Sequence, residues 1–185
     1  MNKAVSDLAS FRHQLHVSLV DKLKYAFWLF LSNIFFLTNI PYPNSLKVFI
    51  LRIFGAKIGK DVVIKPWVKI KLPWKLRIGN HVWLGESSWI DNISEVTIAN
   101  HVCISQGALL LTGNHDYTKS SFDLMSKPIH IEDGVWIGAK TTIVGGITLK
   151  SHCVIGIGVT ILRDTEAYQV YRLNNALETK ERVIK

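Results

Sequence analysis

The chain has 185 residues, of which 48% are hydrophobic and 19% are charged, a composition that excludes intrinsic disorder and suits one well-buried domain with a modest extension. Two cysteines, Cys103 and Cys153, are too few for a disulfide framework or a cysteine-rich zinc module, and both are expected to be reduced thiols. The formal net charge of +8 predicts an anionic partner, which could be nucleic acid, a phosphorylated cofactor or a membrane face.

Residues 1–54 are predicted to form a helical, apolar extension. Residues 1–24 lack the early apolar run and small-residue cleavage site of a secretory signal, so we expect a cytoplasmic protein. An apolar run over 25–40 ends before Pro41, and a second one covers 46–54. Three interpretations stay open: two helices that pack on the main domain, peripheral contact of residues 25–54 with the inner face of a membrane, or a spanning helix, which needs about 20 apolar residues.

After Gly55 the sequence repeats every six residues. Isoleucine or leucine occupies the first position of each hexad, at 58, 64, 70, 78, 84, 90, 98, 104, 110, 131, 137, 143, 149, 155 and 161. A small or β-branched residue usually follows four positions later. This period fits neither a helix nor simple alternation, but it fits short strands joined by tight turns, three to a coil. The sequence therefore predicts an all-β fold, a parallel β-helix of about five coils over 55–165, with Trp83, Trp89 and Trp136 pointing outward.

Residues 112–130 break the hexads and are predicted to leave the β-helix as a protruding loop. Long loops on rigid scaffolds commonly carry functional residues. Residues 166–185 form a C-terminal tail after the last hexad.

The stretches FGAKIG, PWKLRIG, IDN, CISQGA and GNHDY carry a resemblance to a known family. Over residues 50–165 the chain resembles the hexapeptide-repeat acyltransferases, and within them the O-acetyltransferases of colanic acid biosynthesis. The resemblance implies a left-handed parallel β-helix and a homotrimer with active sites between neighbouring subunits. It also implies transfer of an acetyl group from acetyl-CoA to a sugar hydroxyl in surface or exopolysaccharide biosynthesis, the acceptor being a sugar, a nucleotide sugar or a lipid-linked oligosaccharide.

In that family the histidine of the GNHDY loop is the catalytic base, which makes His115 the expected catalytic residue. Imidazole suits the task because its ordinary pKa lies near neutrality. The resemblance places Asp91 and Asn92 toward the acceptor, although Asn92 could equally cap a turn. Asn114 and Asp116 flank the base, and Asp116 either orients His115 or solvates the loop. We expect both cysteines to serve packing rather than nucleophilic catalysis.

The same resemblance implies five coenzyme-binding residues: Trp136, Gly138, Ala139, Ile157 and Arg163. Arg163 could meet a phosphate of the coenzyme. The family usually ends its β-helix with Gly-Asn-Pro-Ala, where this chain has Leu173-Asn174-Asn175-Ala176. The tail is therefore expected to follow another path, helical among the options, and coenzyme contacts from Lys180 or Arg182 are in doubt.

Two other functions are alternatives to acetyl transfer. His81, His101 and His152 share one position of the repeat, and three histidines could bind zinc as in carbonic-anhydrase-like β-helix trimers, although no metal is expected in the acyltransferase assignment. A β-helix that has lost coenzyme binding could instead serve as a non-catalytic scaffold. Nucleic-acid binding is not expected, because the sequence shows no recognition helix, stacking platform or dense basic run.

Overall fold

The computed structural model describes residue 9, residues 18–174 and residues 176–181. Two helices open the described chain, α1 (Leu19–Phe35) and α2 (Asn44–Ile53). Ser18 caps α1 by accepting a hydrogen bond from the backbone N–H of Asp21 at 3.1 Å. Within the described residues, no helix combines the length and the apolar character needed to cross a membrane.

Short strands make up nearly all of the rest. In chain order they are β1 (Lys57–Ile58), β2 (Val63–Ile64), β3 (Lys69–Ile70), β4 (Leu76–Ile78), β5 (Trp83–Leu84), β6 (Trp89–Asp91), β7 (Val96–Ile98), β8 (Cys103–Ile104), β9 (Leu109–Leu111), β10 (Gly113–His115), β11 (Leu124–Ser126), β12 (Ile129–Ile131), β13 (Trp136–Ile137), β14 (Thr142–Val144), β15 (Thr148–Leu149), β16 (Val154–Ile155), β17 (Thr160–Ile161), β18 (Gln169–Asn174) and β19 (Ala176–Glu181).

Three sheets form the faces of a β-helix, and each coil gives one strand to each face. Face 1 has the order β1-β4-β7-β12-β15, face 2 contains β2-β5-β8-β13-β16, and face 3 has the order β3-β6-β9-β14-β17. The pairing within these series is parallel throughout. The predicted fold class is therefore confirmed, with a sixth turn begun by β18, which pairs in parallel with β16 on face 2.

The hexads account for the core. Every isoleucine and leucine at the first repeat position is at most 9% exposed. The small residues four positions later are buried beside them, except for Ser94, which is half-buried. One large and one small side chain per strand thus fill the narrow interior.

The two helices close the open end of the first coil. Carbonyl groups of that coil have no coil beneath them, so they need other donors. The Trp28 indole N–H donates to Ile70 O at 2.9 Å, and the Lys47 ammonium donates to Ile64 O at 3.0 Å. Burial lowers the pKa of Lys47. The helices therefore pack on the β-helix, as the first interpretation of the N-terminal segment expects.

The interruption of the hexads is a β-hairpin. Strands β10 and β11 pair antiparallel, with His115 opposite Leu124. Strand β12 begins at Ile129, so the loop ends at residue 128, two residues before its predicted end at 130. A side-chain hydrogen bond of 2.8 Å between Ser94 Oγ and Ser126 Oγ ties the hairpin to the preceding coil.

The helical path that was one option for the tail is wrong for residues 169–174 and 176–181, which form strands. Strands β18 and β19 form an antiparallel hairpin, and β18 extends face 2 beyond residue 165. Backbone N–H and C=O groups along the edge of β16 that faces away from β13 favour the addition of another strand. The backbone of Lys180 lies in β19, whereas Arg182 lies outside the described residues.

Candidate active site

The hairpin leaves the β-helix at the edge between face 3 and face 1, directly above the segment that follows β6. Thr112 donates from its hydroxyl to Asp91 O at 2.9 Å, and its backbone N–H donates to the same oxygen at 3.1 Å. Gly113 lies at the departure point against the Ile93 side chain, whose Cδ1 would be 2.7 Å from an added Cβ and would have to shift. This packing fixes the start of β10, and with it the position of the next residues.

His115 is half-buried and is held by the other strand of the hairpin. Its Nδ1 lies 2.8 Å from the carbonyl oxygen of Phe122, and the two rings stack with centroids 4.3 Å apart. A carbonyl oxygen can only accept, so Nδ1 carries the proton in this hydrogen bond. In the neutral imidazole the lone pair then resides on Nε2, which is the tautomer that a base needs.

The residues on either side of His115 shape the hairpin. The side chain of Asn114 is exposed, and its Oδ1 accepts from the backbone N–H of His115 at 2.8 Å. The carboxylate of Asp116 accepts from the hydroxyl of Thr118 at 2.6 Å and from its backbone N–H at 3.1 Å. These two hydrogen bonds lower the pKa of Asp116. Asp116 thus fixes the turn that follows the strand.

Lys119 connects two carboxylates at the tip of the hairpin. Its Nζ lies 2.9 Å from Asp123 Oδ2 and 3.9 Å from Asp116 Oδ2. The hydrogen bond from Lys119, with a second one from Ser121, lowers the pKa of Asp123, and the same contact raises the pKa of Lys119. The tip is therefore ordered by charge-assisted hydrogen bonds rather than by a hydrophobic core.

Asp91 and Asn92 have different surroundings despite being adjacent. The carboxylate of Asp91 forms an ion pair of 2.8 Å with Lys71, and its side chain remains 13% exposed. Asn92 is 0% exposed: its Oδ1 accepts from Leu72 N at 3.0 Å, and its Nδ2 donates to Leu72 O at 2.7 Å and to Lys75 O at 3.2 Å. The turn-capping alternative therefore describes Asn92, whereas the Asp91 side chain lies partly exposed below the hairpin.

The expected coenzyme residues lie around face 2 and the edge that it shares with face 3. Trp136 is 50% exposed and donates from its indole to Ser105 Oγ at 3.0 Å. Gly138 is buried, and a Cβ there would lie 2.6 Å from Ile155 O, so the neighbouring coil explains this glycine. Ala139 is half-buried, and Ile157, in the next coil, is 73% exposed.

Arg163 stands apart from these four residues. It is exposed and follows β17, on the same edge of the β-helix as the hairpin. The predicted residues thus fall into two groups within one chain. One group, on the hairpin edge, contains Asp91, Asn92, Asn114, His115, Asp116 and Arg163, and the other, along face 2 and the edge between faces 2 and 3, contains Trp136, Gly138, Ala139 and Ile157.

A cleft of about 270 Å³ lies at the base of the hairpin. Met125 and Leu162 line it together with Thr112 and Asn114, and both of these apolar side chains are largely exposed. No motif in the sequence indicates a role for Met125 or Leu162. The pairing of Asn114 with Met125 brings Met125 there, and antiparallel pairing leaves no trace in the hexad pattern.

Neither cysteine has the environment of an activated nucleophile. Cys103 is half-buried, and burial raises the pKa of its thiol, which lowers the thiolate fraction. Cys153 is 0% exposed and accepts a hydrogen bond from Thr165 Oγ1 to its Sγ at 3.4 Å.

The three histidines of the zinc alternative do not converge. His81 and His101 stack with ring centroids 4.9 Å apart, whereas His152 stacks on Tyr168 and covers Gly134, which occupies the position between. In the part of the chain that the structure describes, no three histidine, cysteine, aspartate or glutamate side chains are arranged to hold a metal ion.

Comparisons with known proteins agree with the repeat and the hairpin. Residues 128–163 match the model of the hexapeptide repeat of succinyl-transferase. A protein of Escherichia coli (strain K12) named as a colanic acid biosynthesis acetyltransferase, WcaF, is 39% identical over 137 residues, which cover 74% of this chain and 75% of WcaF. The galactoside O-acetyltransferase of the same organism is 29% identical over 131 residues, covering 68% of this chain and 64% of that protein.

Among solved structures, the fold is shared by the hexapeptide-repeat-containing acetyltransferase VCA0836 of Vibrio cholerae O1 biovar eltor, whose structure is a complex with acetyl coenzyme A. Its TM-score is 0.78 at 20% sequence identity, with 94% of each chain covered. The identity to WcaF, over three quarters of each chain, decides the relationship, and the β-helix with its inserted hairpin agrees with it. The chain belongs to the hexapeptide-repeat acetyltransferase family.

Proposed function

We propose that this protein transfers an acetyl group from acetyl-CoA to a sugar hydroxyl during surface-polysaccharide assembly, with His115 as the general base and a homotrimer as the working form. The observation that carries the proposal is the 2.8 Å hydrogen bond from His115 Nδ1 to Phe122 O. It fixes the tautomer with its lone pair on Nε2, and the stacked Phe122 ring fixes the plane of the imidazole.

The proposed step needs one base and no covalent enzyme intermediate. His115 Nε2 takes the proton of the acceptor hydroxyl as its oxygen bonds to the thioester carbonyl carbon. The tetrahedral intermediate then expels the coenzyme A thiolate by cleavage of the C–S bond, and the proton on Nε2 passes to the departing sulfur. A backbone N–H of the hairpin or of a facing coil would stabilise the oxyanion. The products are an O-acetyl sugar and free coenzyme A, and His115 returns to its neutral form.

Acetyl-CoA as the donor is supported by the relatives of this chain and by its net positive charge. The family consists of acetyltransferases, and the structure of VCA0836 with the same fold contains acetyl coenzyme A. Coenzyme A carries several phosphate charges, and this chain carries a formal net charge of +8. Arg163, exposed on the hairpin edge, is our candidate for a phosphate contact.

Support for a sugar acceptor comes from the names of two relatives and from the surface below the hairpin. WcaF is named for colanic acid biosynthesis, and the second relative is named for galactosides. The Asp91 carboxylate, paired with Lys71 beneath the hairpin, supplies an acceptor for a sugar hydroxyl. Gathering both residue groups into one site would require two copies of the chain, because they lie on different edges of one β-helix.

The test compares the wild type with His115→Asn. The asparagine amide can still donate to Phe122 O but has no basic nitrogen. We expect acetyl-CoA to bind both proteins with similar dissociation constants in calorimetry. Release of free thiol with a panel of sugars, nucleotide sugars and lipid-linked sugars should fall about 10²- to 10⁴-fold in the variant. Equal rates in the two proteins would remove His115 from the reaction.

A second candidate, a non-catalytic scaffold, is favoured by one observation. A β-hairpin, β18–β19, occupies the end of the β-helix where the family usually has a Gly-Asn-Pro-Ala turn. If this hairpin displaces the donor, acetyl-CoA will not bind even at millimolar concentration. Saturable binding near one site per chain would instead support the acetyltransferase.

A further inference from the structure

The surface of α1 that faces away from the β-helix carries a continuous apolar stripe. Successive residues of a helix are rotated by about 100°, so positions three and four apart share a face. The stripe consists of Leu19, Val20, Leu23, Phe27, Phe30 and Ile34, whose exposed fractions run from 38% for Ile34 to 74% for Val20. Soluble proteins rarely leave such a run of large apolar side chains exposed without a function.

The fold itself does not require this stripe. The opposite face of α1 supplies the contacts to the first coil, through Trp28 and Ser32, which are buried. Phe27 lies at the border, with its ring centroid 5.7 Å from that of Phe54 after α2. The stripe thus reaches the end of α2, where Phe49 and Ile53, one helical turn apart, are also exposed.

The stripe is located at the end of the β-helix rather than on one of its faces. Parallel coils form hydrogen bonds along the axis of the β-helix. The backbone N–H and C=O of Ile64, which point away from the second coil, bind side chains of α2, and the C=O of Ile70 binds a side chain of α1. Both helices therefore lie beneath the first coil. Copies that associate side by side through the three faces would leave this end uncovered, and a flat surface could approach it.

The charged residues at the helical end of the β-helix favour contact with an anionic surface. Between residues 18 and 56 the basic residues are Lys22, Lys24, Lys47 and Arg52, and the single acidic residue is Asp21. Lys47 is buried, but Lys22 and Arg52 are exposed and Lys24 is half-buried over the ring of Trp74. Basic side chains beside an apolar helix face are the features of helices that lie in the headgroup region of anionic membranes.

We propose that the helical end of the β-helix, through the stripe of α1, docks on the surface of a lipid bilayer that contains anionic lipids. Helix α1 lies in the plane of the headgroups, with the stripe toward the acyl chains and Lys22, Lys24 and Arg52 near lipid phosphates. It does not cross the bilayer. This inference is independent of acetyl transfer, since a scaffold with the same helices would bind in the same way.

The test uses the full chain and sedimentation with vesicles. Vesicles of phosphatidylethanolamine with about a third phosphatidylglycerol provide the anionic surface, and phosphatidylcholine vesicles provide the neutral one. We expect binding to the anionic vesicles that weakens in high salt and is much weaker on neutral vesicles. Leu23→Gln/Phe30→Gln should weaken binding at least about tenfold, because two large side chains no longer enter the apolar layer.

Asn33→Gln is the matched control, since Asn33 is exposed on α1 outside the stripe. It should bind vesicles like the wild type, and circular dichroism should show that all variants keep the same helix content and melting temperature. No vesicle binding by the wild type, or equal binding by the stripe variant, would overturn the proposal. So would a stripe-dependent increase in oligomer size in light scattering, because the stripe would then be a contact between copies of the chain.

Discussion

The side-chain amide of Asn92 pairs with both backbone groups of Leu72, accepting from its N–H at 3.0 Å and donating to its carbonyl at 2.7 Å. A third hydrogen bond, to Lys75 O at 3.2 Å, completes the arrangement. These bonds lie at the edge where the first two coils carry two residues more than a strict eighteen, and the extra length includes a 3-10 helix at Pro73–Lys75. Asn92 supplies the backbone pairing that regular strands would supply elsewhere.

Replacement of Asn92 by alanine should therefore destabilise the protein. Three partly buried backbone groups would lose their partner, and we expect a loss of about 3 kcal/mol in the free energy of unfolding. Chemical denaturation measures this loss. If Asn92 instead served only to bind the acceptor, the variant would unfold like the wild type and show a raised KM for the acceptor.

The tip of the hairpin should lose order in acid. Asp116 and Asp123 have lowered pKa values, because Thr118 donates to the first and Lys119 and Ser121 donate to the second. For carboxylates with a lowered pKa, the stabilisation is fully present above the ordinary pKa near 4 and disappears as the pH falls through the lowered values.

Hydrogen exchange of the hairpin amides, corrected for intrinsic rates, tests this prediction. Protection of 113–126 should be constant between pH 5 and 7 and should fall below about pH 4, the ordinary range of carboxyl groups. Thr118→Val keeps the side-chain shape but removes one donor to Asp116, so it should reduce protection even at neutral pH. Protection that is unchanged down to pH 2 would contradict the role of these carboxylates.

Substitutions of Gly138 and Ile157 should distinguish an effect on folding stability from an effect on coenzyme binding. Gly138→Ala places a methyl group 2.6 Å from Ile155 O, so the coils must shift, at an expected cost of about 1–3 kcal/mol. Ile157→Ala removes an exposed side chain and should change stability by less than about 0.5 kcal/mol. If Ile157 contacts acetyl-CoA, its dissociation constant rises in calorimetry, whereas an unchanged constant would place the coenzyme elsewhere.

Cys103 should be dispensable for activity. Burial raises the pKa of this thiol, so iodoacetamide should modify it more slowly at pH 8 than it modifies a free cysteine. Cys103→Ser should keep the acetyltransferase rate within about twofold, because the proposed step has no acyl-cysteine intermediate. Loss of activity in a folded Cys103→Ser protein, with a burst of thiol release in the wild type, would indicate covalent catalysis.

Much of the architecture follows from the order of residues alone. Ile58, Ile64 and Ile70 and their successors repeat every six positions, and only strands of fixed length with tight corners can bury all of them together. The same regularity predicted that Trp83 and Trp136 point outward, and both are at least half exposed. A hexad specifies its own geometry because its strand pairs with the equivalent strand of the neighbouring coil.

Other features depend on contacts between segments that share no repeat. The hairpin pairs His115 with Leu124 and bonds its ring to Phe122, and nothing in the local pattern encodes that antiparallel register. Asn92 and Asp91 are neighbours in sequence, yet the Asn92 amide is fully buried, whereas the Asp91 side chain is 13% exposed and paired with Lys71. The sequence by itself determined the β-helix and pointed to the histidine. Only the tertiary structure decided which nitrogen of that histidine bears the proton, which face of α1 stays exposed and that the tail forms a hairpin over its described residues, because each depends on a partner that no repeat position specifies.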